Sequence, residues 1–262
     1  MIKSLIYYDV KKITGTLPYF YAFAIFFACL TRFINIWKDI QFLFIIGQIF
    51  QGVAFAMIVN ILVNVFLSAI VRSFVPSFFG DESYLTHTLP VEKSKLLLSK
   101  VISTILLTLV SVLVCLISLA IMFYSKDFML IIKNFINVTV VNMNLSAEGF
   151  IILIALVLFL QILTTLLMGY SAIFQGYFNS DKKVLKSFIW FAIFYFATMM
   201  INLIIAIIVC AIGGNLQELF ASEISGKTLT TLLITVTINY LLFAVAFYII
   251  SQKLFERGVN LD

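Results

Sequence analysis

Long apolar runs separated by short polar connections dominate the chain. Six of them, at about 17–37, 42–71, 96–124, 149–174, 187–212 and 228–250, are long enough as helices, at about 1.5 Å per residue, to cross a hydrocarbon layer near 30 Å thick. Their apolarity is continuous, whereas a membrane β-barrel would show segments of about ten residues with alternating polarity. The pattern therefore predicts an all-α polytopic membrane protein with six transmembrane helices. The first run is the weakest, because Arg32 interrupts it. Ahead of it, Ile2, Leu5, Ile6, Val10 and Ile13 recur at helical spacing against Lys3, Lys11 and Lys12, which predicts an amphipathic interfacial helix over 1–16. No cleavage pattern follows these lysines, so the first span is expected to stay. The whole of 1–262 reads as a single transmembrane domain. Pro18 falls at the very start of the first expected span and Pro76 and Pro90 in a connection, so none is expected to kink a span.

Composition agrees with the pattern. The chain is 63% hydrophobic and 11% charged, with a mean hydropathy of +1.15, where soluble domains carry about 25% charged residues. The lysines and arginines are distributed unevenly among the connections. Arg32, Lys38, Lys126, Lys133 and Lys227 fall on one side, and all the others, including Lys3, Arg72, Lys93, Lys183 and Arg257, fall on the opposite side with both termini. The positive-inside bias then places both termini in the cytoplasm, where the net charge of +5 suits anionic lipid headgroups and needs no nucleic acid to explain it. Cys29, Cys115 and Cys210 lie inside spans and are read as small apolar residues.

Several chemistries lack their residues. The single histidine, His87, sits in a connection with no zinc-binding pattern around it, and no phosphate-binding glycine loop of the Gly-x-x-x-x-Gly-Lys type occurs. The chain is expected to bind no ATP, metal or other cofactor itself. The centres of the six spans carry no ionisable group, which weighs against a proton or sodium carrier. They carry neutral polar stripes instead. One runs through Gln48, Gly52, Ala56, Asn60, Asn64 and Ser68; another through Thr104, Thr108, Ser111, Cys115 and Ser118. The fourth span adds Gln161 and Thr165, and the sixth adds Thr228, Thr231, Thr235 and Asn239. Such stripes serve either as contacts between helices or as a path for an amphipathic substrate. Gln48, Asn60, Asn64, Ser111, Gln161, Thr165 and Asn239 are the candidates for either role.

The connection 72–99 mixes acids, bases and aromatics. Phe78, Leu85 and Leu89 fall at i, i+7 and i+11 on one helical face, with Asp81, Glu82, Thr86 and Thr88 nearby. Apolar side chains in a polar connection need a dock, either a groove on a cytoplasmic protein or the membrane surface. Pro90 and Glu92 then suit the first turn of the helix that leads into the third span.

The stretch Gly80-Asp81-Glu82-Ser83-Tyr84-Leu85-Thr86-His87-Thr88-Leu89-Pro90-Val91, with Lys95-Leu96-Leu97-Leu98-Ser99-Lys100 after it, resembles the inner loop of bacterial ABC transporter permeases of the type-2 exporter class. The closing residues 253–262 also resemble the tails of such permeases. The resemblance implies the type-2 exporter permease fold, with a surface helix before six spans. It also implies a coupling helix in the connection between spans two and three that seats in a groove of a separate ATP-binding subunit. Phe78, Asp81, Glu82, Tyr84, Leu85 and Leu89 would make that contact. Two ATP-binding subunits, carrying the ATP and magnesium, and a second permease copy or homologue would complete the complex in a bacterial plasma membrane. The cargo implied is an amphipathic peptide, antibiotic or lipid-like molecule. The chain departs from the family in its modest connection 213–227 and its longer one at 125–148. An ion-gradient carrier or channel, or a non-transporting scaffold or sensor subunit, are the alternatives.

Overall fold

The computed structural model describes residues 2–36, 40–80, 82–88, 91–123, 134, 147–178, 182–213 and 225–257. Among them every regular element is a helix. In chain order these are α1 (Ile2–Ile13), α2 (Leu17–Asn35), α3 (Gln41–Leu67), a π-helical segment (Ser68–Phe74), α4 (Val75–Phe79), α5 (Ser83–Thr88), α6 (Lys93–Phe123), α7 (Ala147–Tyr177), α8 (Lys183–Ile212) and α9 (Gly226–Glu256). Six helical runs are long and apolar enough to cross a membrane, so the chain is a multi-pass helical membrane protein. Most of the expected connections at 125–148 and 213–227 lies outside the described residues, as does the tail beyond Arg257.

The second run differs from its expected extent. Instead of stopping at Val71, the chain stays helical from Gln41 to Phe79, 39 residues or about 58 Å, nearly twice what a crossing needs. Pro76 therefore lies inside a helical run. Its ring crowds the carbonyl four residues back and it has no N–H to give. The backbone relaxes by widening just before it, with the Val75 N–H bonded to the Ile70 carbonyl five residues back. The run ends at Gly80, where a Cβ would stand 3.0 Å from the Pro76 Cα.

The chain divides into two compact units, Met1–Leu130 and Ile131–Asp262. In the first, α2 packs along α3 and both meet α6, while α1 packs on α6 and the π segment. Small side chains let the backbones approach, with Ala28 of α2 and Ala54 of α3 wholly buried beside Met122 of α6. Phe27 packs against them and stacks with Phe50, ring centres 6.0 Å apart. The α6 stripe of Thr104, Thr108, Ser111, Cys115 and Ser118 is entirely buried. Thr104, Thr108 and Ser111 bond back to the carbonyl one turn earlier, which gives each hydroxyl an acceptor within its own helix.

In the second unit α7 packs against both α8 and α9. Thr164 of α7 donates to the Tyr240 carbonyl of α9 at 2.9 Å, and Phe174 meets Phe255 with ring centres 5.4 Å apart. The close approach of α7 to α8 requires glycine at position 176, because a Cβ there would sit 2.6 Å from the Ser187 Cα. Most of α8 presents apolar side chains outward, among them Phe188, Phe196 and Ile204, as expected of a lipid-facing helix.

Candidate functional site

A buried ion pair lies in the first unit, where α1 meets the start of α6. The register of α1 puts Leu5, Asp9 and Ile13 on one face, so an acid interrupts the apolar stripe that packs on the protein. Opposite it stands Lys100, two turns into α6. Asp9 is 8% exposed and Lys100 6%. The Lys100 Nζ pairs with Asp9 Oδ1 and also donates to Ser73 Oγ at 3.0 Å and Ser77 Oγ at 2.9 Å. All three ammonium hydrogens are thus used. The second carboxylate oxygen of Asp9 accepts from Ser99 Oγ at 3.0 Å.

This single ammonium joins four elements: α1 through Asp9, the π segment through Ser73, α4 through Ser77, and its own helix α6. Burying two ions costs several kcal/mol each, and only mutual attraction with every lone pair and proton satisfied offsets it. That requirement makes the centre intolerant of displacement. Beside it lies a small cavity of about 100 Å³, with Asp9, Ser77, Thr86, Ser99 and Lys100 forming its polar wall.

A second, exposed ion pair ties the same helix to the connection. Lys12 of α1 bonds to Glu82 Oε2, with the two side chains 29% and 51% exposed. Glu82 immediately precedes α5, and the Arg72 guanidinium donates to the Thr16 hydroxyl between α1 and α2. Elements α1, α4, α5 and the first turns of α6 thereby form one polar junction.

Of the residues expected to dock a partner, Phe78 is placed otherwise. It is fully buried, edge-to-face on Phe74 with ring centres 5.0 Å apart, because the helical run continues past Val71 and carries it into the unit's interior. It is not available to a partner here. Tyr84 is 74% exposed on α5, and Glu82 is exposed and paired with Lys12. Asp81 and Leu89 lie outside the described residues, as does the side chain of Leu85.

The polar candidates within the spans fall into two groups. Ser111 is buried and shares a hydrogen bond with the Tyr21 hydroxyl of α2, and Asn239 is buried and donates to Asn202 Oδ1 of α8 at 3.2 Å. Both act as contacts between helices of their own unit. Gln48, Asn60 and Gln161 are exposed, and Asn64 and Thr165 are half-buried. Asn60, Asn64 and Thr165 bond to the carbonyl one turn back in their own helices.

The Asp9–Lys100 centre was not among the residues singled out from the sequence. The one local signal for it is the acid in the apolar face of α1. Among the described residues no three of His, Cys, Asp and Glu come together as metal ligands. No protein-family model matches the chain, and neither a curated protein nor a solved structure is significantly similar to it.

Proposed function

We propose that the chain is the membrane-spanning subunit of an ATP-driven exporter of the type-2 ABC class, coupled through α5 to a separate ATP-binding subunit. The observation that carries this reading is the Lys100-centred junction. A displacement of α5 reaches α1 through Glu82 and Lys12, and through Asp9, Ser73 and Ser77 it reaches α6 and the end of the α3 run. Exposed Tyr84 on α5 supplies a contact beside that junction, and Asp81, Leu85 and Leu89 are the further docking residues that the sequence offers in the same stretch. The family resemblance of residues 80–100 covers the same segment and supports the same partner.

On this reading the α1 end faces the cytoplasm, as the bias of lysine and arginine favours, and the membrane is a bacterial plasma membrane. Two ATP-binding subunits holding ATP and magnesium, and a second permease copy or homologue, complete the complex. Closure of the ATP-binding subunits moves the spans as rigid bodies, by differential binding to two states. The cargo is an amphipathic peptide, antibiotic or lipid-like molecule, a class taken from the family resemblance.

The gradient-driven carrier has one observation in its favour, the buried Asp9–Lys100 pair, because such carriers keep ionisable groups away from water. Lys100 stands two turns from the end of α6 rather than at its centre, and each of its protons has a partner, which suits a structural tie better than a carrier site.

The test is co-purification with a co-expressed ATP-binding cassette subunit. The native chain should retain it, and Tyr84→Ala together with Asp81→Lys and Leu85→Glu should release it. Undiminished retention by the triple variant would overturn the dock.

A further inference from the structure

We infer that the outward face of α1 is a docking surface for anionic lipid headgroups, and that the three lysines of this one helix are divided between two tasks. The sequence pattern places Lys3, Lys11 and Lys12 together on the polar side of α1. The structure separates them. Lys12 turns toward the protein and pairs with Glu82. Lys3 and Lys11 are exposed, neither pairs with a described acid, and they share an arc of the helix with Ser4, Tyr7 and Tyr8.

The opposite arc is already occupied. Asp9 and Ile13 are buried there, and Leu5 and Ile6 are half-buried against the unit. What α1 leaves outward is two tyrosines, 64% and 67% exposed and in edge-to-face contact at 5.7 Å, flanked one turn away on each side by a lysine, with no acid among them. That composition has a preferred environment. Tyrosine rings settle at the headgroup level, where the ring is in apolar contact and the hydroxyl stays wet. Lysine reaches from the same depth to a phosphate. Position agrees, because only Thr14, Gly15 and Thr16 separate α1 from α2, the first membrane-crossing helix. Tyr19 in the first turn of α2 is likewise exposed.

The occupant is therefore a bilayer with net negative headgroups. Each engaged lysine contributes roughly a five-fold preference for an anionic over a neutral surface, falling away with salt. This inference does not depend on transport and is tested without nucleotide or any ATP-binding subunit.

The full chain is placed in bilayer nanodiscs of phosphatidylcholine, alone or with phosphatidylglycerol added, and its thermal unfolding midpoint is read in both. The anionic lipid should raise the midpoint of the native chain by about 2–4 °C for each lysine engaged. Lys3→Gln with Lys11→Gln should reduce that rise by the share of two engaged lysines while leaving the midpoint in pure phosphatidylcholine unchanged. Lys12→Gln should keep the rise. No rise for the native chain, an undiminished rise in the double variant, or a rise lost equally in Lys12→Gln would each overturn the assignment.

Discussion

Asp9 and Lys100 are separated by 91 positions in the chain and meet in a buried ion pair that also engages Ser73, Ser77 and Ser99. The pair makes α1 part of the first unit's framework. It also places the end of the α3 run, α4 and α6 around a single charged atom.

Removing one partner leaves the other charge buried and unanswered. Lys100→Met or Asp9→Leu alone is expected to cost about 3–5 kcal/mol, whereas the two substitutions together should recover most of the loss. Denaturant unfolding in detergent micelles, run as a double-mutant cycle, measures the coupling. Additive losses would show that the pair does not act as a unit.

The outer pair is a weaker tie. Glu82→Ala should change global stability by less than about 1 kcal/mol, since the pair is solvent-exposed. It should nevertheless speed amide exchange in α1, because the link from α5 to that helix is gone. Hydrogen-exchange mass spectrometry reads both effects in one experiment.

Phe78 and Tyr84 are predicted to separate stability from docking. Phe78→Ala empties a fully buried site against Phe74 and should destabilise the first unit by about 3–5 kcal/mol. Tyr84→Ala, at an exposed position, should stay within about 0.5 kcal/mol of the native chain while weakening capture of the proposed ATP-binding subunit. Thermal unfolding and pull-down on the same two variants check the contrast.

Gly176 tests the close approach of α7 and α8. Alanine there cannot fit without moving the Ser187 backbone, so Gly176→Ala should lower the unfolding midpoint, in contrast to Gly52→Ala, where a Cβ meets nothing within 4 Å. A helix-interior glycine replaced by alanine in open space should be neutral to stabilising by up to about 1 kcal/mol.

Some of this architecture was legible in the sequence for physical reasons. Continuous apolarity over twenty or more residues has few outcomes other than a spanning helix, and the six blocks declare themselves by that rule. Pro76 was harder to place. Proline usually marks the end of a helix, and only the packing of Ser73, Phe74 and Phe78 into the unit shows that the run widens into a π segment and continues. Phe78 likewise has the right spacing for an apolar face, but spacing does not say whether a partner or the chain's own helices cover that face. The Asp9–Lys100 centre depends on a contact between distant segments. No local periodicity encodes such a contact, and the acid interrupting the apolar stripe of α1 was its one visible trace.

The measurement that bears most directly on the proposed account is solute flux in sealed proteoliposomes containing the chain with or without its ATP-binding subunit. The account predicts no flux from the chain alone under any ion gradient. With the subunit and ATP present it predicts outward transport that is lost in the Tyr84, Asp81 and Leu85 triple variant. Gradient-driven flux through the chain by itself, unaffected by ATP, would contradict it.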